Sequence, residues 1–148
     1  MKWIDLPPIW LIGFLALAWA QAQYLSLGLS FGAWGGLLGL VLLSVAICLA
    51  VAAIVQFRRH RTTVIPHMQP SRLITTGIFG RSRNPIYLAD ILILTAFVLM
   101  WDAVPSLALI PIFTGLLQKR FIYAEELRLK QAFPDAFTEY CRSTRRWI

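Results

Sequence analysis

Charge is scarce in this sequence, and acidic residues are the scarcest. Lysine, arginine, aspartate and glutamate make up 14% of the 148 residues, and only seven are acidic. Ordinary soluble domains carry about 25% charged residues, which excludes a water-exposed globule. Cysteine is limited to Cys48 and Cys141, far apart in sequence, so a disulfide scaffold is excluded. His60 and His67, the two histidines, have no metal-ligand spacing with the cysteines, and no metal is expected. There is no Walker loop, no nucleophile elbow and no Gly-x-Gly-x-x-Gly after a strand. Gly77 and Gly80 alone do not make a phosphate cradle. No repeat of fixed period and no low-complexity tract is visible.

What is present is apolar surface: 58% of residues are hydrophobic and 13% aromatic. Such a composition excludes disorder and points to a small integral membrane protein. The net charge of +7 invites a nucleic-acid reading, since basic chains bind phosphate backbones. In so apolar a chain, lipid headgroups and membrane topology account for the same charge. The expected partner is therefore the lipid bilayer, not nucleic acid.

A transmembrane helix needs about 20 apolar residues, with about 17–25 as the working range. Four stretches are read as spans: Ile9 to Leu29, Leu37 to Phe57, Ile86 to Trp101, and Val104 to Leu117. Pro111 is expected to kink the fourth, because proline removes a backbone donor and crowds the preceding turn. The 14 basic residues fall at Lys2, between Arg58 and Arg83, and from Lys119 onward. By the positive-inside rule both termini and the middle loop face the cytoplasm. The expected product is a multi-pass protein, of the inner membrane if bacterial. Its first span has an Ala18-Trp19-Ala20 motif that imitates a signal-peptide cleavage site. Asp5 and Pro7-Pro8 make an unusual leader, so a retained signal-anchor span is preferred. Gly28/Gly32 and Gly35/Gly39 have the spacing that lets helices approach closely in lipid. Packing within the chain is the favoured use of these glycines, and oligomerisation through the same ends is the other.

The chemistry-bearing residues follow the second span. Asn84 is a favoured N-cap and Pro85 a favoured first helical residue. The third span should start abruptly there, with its unpaired N–H groups and positive dipole end near Arg81 and Arg83. That arrangement attracts anions, and it is equally a capped span flanked by topology-setting arginines. Asp90 lies one turn beyond Tyr87 on the same helix side. An acid within a span is a functional hypothesis by default, although pairing with Arg83 or with a base at the end of span four would also account for it. Beyond span four, Glu126 and Lys130 are spaced for an i,i+4 pair. Glu125 sits near the membrane boundary. A basic pocket with one or two carboxylates suits a zwitterionic ligand. Phe133, Phe137 and Tyr140 form an apolar stripe that would fold the tail back on the bundle.

Taken in order, these motifs resemble the isoprenylcysteine carboxyl methyltransferase family and its phospholipid N-methyltransferase relatives. The matching residues are Leu73-Ile74, Gly77-Ile78-Phe79, Arg83-Asn84-Pro85-Ile86-Tyr87, Glu125-Glu126-Leu127-Arg128-Leu129, and the tail from Phe133 through Tyr140 to Arg146. They cover residues 70–148, about half the chain, and the first two spans are not diagnostic. Ile78 stands where the family often has proline, and Ser71 where carboxyl methyltransferases often have histidine. The resemblance implies an all-α bundle of four transmembrane helices. Two N-terminal helices (residues 1–61) would support a methyltransferase core (residues 62–148), the two forming one structural domain. A cytoplasmic pocket would be formed by the 62–84 loop, the ends of spans three and four and the C-terminal helix. It also implies S-adenosylmethionine as cofactor, leaving as S-adenosylhomocysteine. Leu73, Ile74, Phe79, Asn84, Pro85 and Tyr87 would shape the cofactor pocket, while Glu125 and Glu126 would hold the cofactor's ammonium or ribose. Arg83 and Arg120 are the candidates for orienting the cofactor carboxylate or the substrate, and Asp90 for a catalytic role.

The implied reaction is in-line displacement at a sulfonium methyl, governed by alignment and exclusion of water. A lipidic carboxylate of the isoprenylcysteine type is the first expectation for the acceptor. A carboxylate needs no base, only an arginine to place it. A phospholipid amine is the alternative. It must first lose a proton, which gives Asp90, Glu125 or Glu126 a base role. A reading from another class is a non-catalytic four-span module, such as a small transporter with Asp90 as its proton site. It leaves Arg83-Asn84-Pro85-Ile86-Tyr87 and Glu125-Glu126 unexplained. The topology is open to direct test. Reporter fusions after Arg61 and Ile148 should report cytoplasm, and a fusion at Asp102 the opposite side. An external signal from the 61–83 loop would overturn the site assignment.

Overall fold

The computed structural model describes residues 5–25, 28–60 and 72–148. Among them the secondary structure is helical and no strand occurs. Helix α1 spans Pro7–Tyr24, α2 Ala33–Arg59 and α3 Pro85–Met100. A 3₁₀ turn at Val104–Ala108 leads into α4 (Leu109–Leu117), a π-helical segment (Gln118–Ile122) and α5 (Tyr123–Ala132). Together these form one continuous helix, Val104–Ala132. Helix α6 (Pro134–Ser143) follows. Two helices, Ala33–Arg59 and Val104–Ala132, are long and apolar enough to cross a membrane, and Pro85–Met100 is a shorter apolar helix.

The helix ends differ from the expected spans, for local reasons. Helix α1 stops at Tyr24, not Leu29, because Leu25 leaves the helical region at φ −129°, ψ 63°, and the Gln21 side-chain amide donates to the Leu25 carbonyl at 2.9 Å. Helix α2 starts at Ala33, four residues before the expected Leu37, directly after Gly32 in the left-handed region at φ 66°. Pro111 is the third residue of α4, in the first turn, where a missing N–H is tolerated. The irregularity of this helix lies on either side of it, as the 3₁₀ turn before and the π segment after.

The most extensive helix pair is α2 against α3. Its contact stripe on α2 is Gly35, Gly39, Ala46 and Ala53, all small and all buried. Small residues let two backbones approach closely, which is how helices gain packing energy where lipid removes the hydrophobic drive between them. A Cβ at Gly39 would lie 2.5 Å from Met100 Cγ and 2.7 Å from the Ala96 carbonyl oxygen. The Gly35/Gly39 spacing is thus spent within the chain. On the opposite side of α2, Trp34, Leu38, Val41, Val45 and Ile54 are exposed, as a lipid-facing surface requires. A second core joins Leu11, Phe14 and Ala18 of α1, Leu94 and Val98 of α3, and Phe113 and Leu117 of α4. Gln21 enters it with a partner: the buried Ser106 hydroxyl donates to its Oε1 at 2.8 Å.

At the far end of the bundle, Asp102 adopts φ 55° in the turn after α3, a conformation aspartate tolerates better than most residues. Its Oδ1 accepts the Phe31 N–H at 2.6 Å, tying the loop before α2 to the α3–α4 turn. Hydrogen bonds from the Ser30 hydroxyl and the Phe31 amide hold its carboxyl below the usual carboxylate range.

The packing predicts a contrast between neighbouring glycines. Gly39→Ala should destabilise the helix pair by about 1–3 kcal/mol, because the Ala96 carbonyl cannot yield without moving α3. Gly36→Ala, where nothing lies within 4 Å, should be neutral. Thermal unfolding in detergent compares them, and equal midpoints would remove the close approach as a source of stability.

Candidate active site

The site is built where the 72–84 segment meets the start of α3, the α5 helix and the tail. Ile74 and Phe79 are buried against Ala53 of α2, with Phe57, Ile78 and Ile86 packed around them. The Phe57 and Phe79 rings meet edge to face, centroids 5.2 Å apart. Leu73 is half-buried. Gly77 starts the 3₁₀ turn Gly77–Gly80 at φ 64°, and a Cβ there would collide with the Gln56 side chain. Both the backbone angle and the space demand glycine.

Asn84 occupies the N-cap position of α3 and Pro85 its first turn, as expected, but the Asn84 side chain makes no capping hydrogen bond. Its amide donates instead to the Arg146 carbonyl at 3.1 Å, and its backbone N–H donates to Ser82 Oγ at 3.2 Å. The physical reason is competition. The tail lies across this turn and offers carbonyls: the Arg83 N–H donates to the Arg145 carbonyl at 3.1 Å, and Ser82 Oγ reaches that of Arg146 at 3.5 Å. Further along the same seam Tyr140 donates its hydroxyl to the Phe79 carbonyl at 2.6 Å. Burial pushes the Tyr140 hydroxyl above the ordinary tyrosine value, so it stays protonated and remains a donor. Phe137 and Tyr140 are buried and Phe133 half-buried. The apolar stripe does fold the tail onto the bundle.

The charged residues divide into separate groups. Arg146 grips Glu126 with two bonds, Nε to Oε1 at 3.1 Å and Nη2 to Oε2 at 2.7 Å, while its guanidinium lies 5.1 Å from the Tyr123 ring centroid. Arg83 reaches the same carboxylate at 3.2 Å and donates to Cys141 Sγ at 2.6 Å, while its Nε is buried with no acceptor. Glu126 therefore pairs with these two arginines, and not with Lys130. Arg120 stands elsewhere. It is exposed and bonded to Asp5 at 2.6 Å, with its guanidinium 5.4 Å from the Trp10 centroid.

Tyr87 joins the two most distant motifs by donating its hydroxyl to Glu125 Oε2 at 3.0 Å, with its ring stacked on Phe121. Asp90, one turn on, is buried at 9% exposure. Its Oδ2 has no hydrogen-bond partner, and no ion pair reaches it among the described residues. The expected pairing with Arg83 or a base of span four is not formed. An ionisable residue within a span is costly and a functional hypothesis by default. Seen together, Arg83, Asn84, Tyr87, Asp90, Glu125 and Glu126 surround the start of α3, with Leu73, Ile74 and Phe79 beside them, while Arg120 lies apart. Sequence reasoning missed the roles of Ser82, Gln56 and Cys141, which carry no motif. Ser71, a noted departure, lies outside the described residues.

A family model described as phospholipid methyltransferase matches residues 34–136. The chain belongs to this family. The match takes in α2 and ends inside α6, short of Arg146. Searches of curated proteins and of solved structures return no match. Membership makes this a membrane methyltransferase, consistent with its two long apolar helices.

The seam between turn and tail gives a second prediction. Tyr140→Phe keeps the buried ring but leaves the Phe79 carbonyl without its donor, and should cost about 0.5–1.5 kcal/mol of stability. Chemical or thermal unfolding measures this. An unchanged midpoint would show that the tail is held without that bond.

Proposed function

We propose that this membrane methyltransferase moves the methyl group of S-adenosylmethionine to a lipidic acceptor at the cytoplasmic face of a four-span bundle. When bound, the cofactor would supply an electrophilic methyl on a sulfonium sulfur. The residues present fit its zwitterionic amino-acid end. Arg83 Nε is a buried donor without an acceptor, suited to a carboxylate, and Glu125 offers a carboxylate to an ammonium. Ile74, Phe79 and Tyr87 would line the apolar side and exclude water.

The observation that carries this reading is the Tyr87–Glu125 bond. It brings the Arg83-to-Tyr87 motif and the Glu125-Glu126 motif together across 38 residues. A transporter with Asp90 as proton site gives no reason for that joint. Residues 62–148 would do the chemistry, supported by two N-terminal helices, with both termini cytoplasmic.

Among lipidic acceptors, an amine is favoured over the isoprenylcysteine-type carboxylate expected first. Arg120 already pairs with Asp5, and Arg83 pairs with Glu126 and would give its remaining donor, Nε, to the cofactor's carboxylate, whereas Asp90 holds an unpartnered oxygen. The family description, phospholipid methyltransferase, points the same way. A carboxylate acceptor would require Arg83 to turn from Glu126.

Glu125→Gln should weaken S-adenosylmethionine binding about ten- to a hundredfold, the equivalent of roughly 1.5–3 kcal/mol for a lost charge-assisted hydrogen bond. The unfolding midpoint should change little. Calorimetric titration of purified protein decides it, and unaltered affinity removes Glu125 from the cofactor site.

A further inference from the structure

Three carboxylates lie near the start of α3, and they are not equivalent. Glu126 has both oxygens engaged by Arg146, with Arg83 adding a third contact. Both of its oxygens are taken up by guanidinium donors, which leaves neither open to an arriving ligand. Glu125 receives the Tyr87 hydroxyl on Oε2, so that oxygen is already engaged within the protein. Asp90 alone keeps a buried oxygen, Oδ2, with no partner among the described residues. It sits on the first turns of an apolar helix, close enough to Tyr87 for its charge to act on that hydroxyl. Tyr87 lies one turn earlier on the same helix, and Glu125 of α5 is bonded to that Tyr87 hydroxyl. Among the described residues no salt bridge reaches Asp90. A carboxylate so placed is complementary to a donor that arrives with a ligand.

We propose that Asp90 is the proton acceptor for a lipid amine. This rests on the methyltransferase reading above and deepens it by choosing one of three acids. The ammonium headgroup would donate to Oδ2 and give up a proton there, so that carboxylate and ammonium become carboxylic acid and neutral amine. The freed nitrogen lone pair then forms the new bond to the methyl carbon of the sulfonium donor. The carbon–sulfur bond breaks with its electron pair going to sulfur, leaving a thioether and a methylammonium. Asp90 returns its proton to water when the product leaves. Tyr87 and Glu125 keep the helix ends registered so that Oδ2 faces the acceptor.

The test uses the full chain, purified in detergent and reconstituted with phosphatidylethanolamine as probe. Asp90→Asn should lower methyl transfer to this lipid about 10²–10⁴-fold at neutral pH, with S-adenosylmethionine affinity unchanged. Its activity should recover as pH rises toward the amine's own pKa, because bulk base then supplies the neutral amine. Without any donor present, native mass spectrometry should show the wild type retaining phosphatidylethanolamine over phosphatidylglycerol, and Asp90→Asn losing that preference. This lipid readout needs no activity, and its wild-type arm needs no variant to fold. Wild-type turnover in Asp90→Asn would overturn the inference. So would a loss that alkaline pH does not rescue, or a wild type without preference for the amine lipid. Methylation of a prenylcysteine carboxylate but of no amine would overturn it too, while leaving the methyltransferase reading standing. Failure of the wild type to bind S-adenosylmethionine would instead defeat that broader reading.

Discussion

The Glu126 carboxylate, held between Arg83 and Arg146, fixes three segments of the chain at once. Arg83 belongs to the turn before α3, Glu126 to α5 and Arg146 to the tail. The Arg146 contact is bidentate, and such pairs specify orientation as well as distance. With Glu126 pinned, the neighbouring Glu125 is carried around the helix by one residue, to meet Tyr87. The tail carbonyls then occupy the donors of the turn. Remove the central carboxylate and two guanidiniums would face each other at a partly buried joint, so the arrangement depends on it. In this sense Glu126 organises the joint of turn, helix and tail.

A second constraint comes from the solvent. In lipid the helices gain nothing from hiding apolar side chains, so the tightest pair, α2 with α3, is made by removing side chains at Gly35, Gly39, Ala46 and Ala53. The same pair anchors the 72–80 segment, because Ala53, Phe57 and Gln56 at the C-terminal end of α2 receive Ile74, Phe79 and Gly77. Helix packing at one end of the bundle thus positions the loop that frames the site at the other.

The parts of this architecture written as local patterns were legible in the sequence. Long apolar runs gave the helices, Asn84-Pro85 gave the start of α3, and the Phe137/Tyr140 spacing gave the docking of the tail. Proline at N1 and an aromatic i,i+3 pair need no distant partner to be understood. What stayed hidden depends on partners far away. The Asn84 side chain is N-cap chemistry by its own nature, yet the Arg146 carbonyl competes for it from 62 residues away. Glu126 has Lys130 at helical spacing, but two arginines from other segments offer better-desolvated contacts. Arg120 was grouped with Arg83 by type alone, and the fold sends it to Asp5 and Trp10.

The π segment at Gln118–Ile122 shows why spacing alone misplaces the acids. At about 100° per residue in a regular helix, Glu125 would point about 120° away from Phe113. One inserted residue delays everything after it by a step and returns Glu125 to within about 20° of that direction. Phe113 and Leu117 face the core before the insertion, while Phe121 and Ile122 do so within it. The widening thus lets the helix keep its apolar face against α3 and still bring Glu125 to the Tyr87 hydroxyl. A regular helix through the same residues would have to give up one contact or the other. The acid pair reaches the site because the backbone departs from regularity one turn before it.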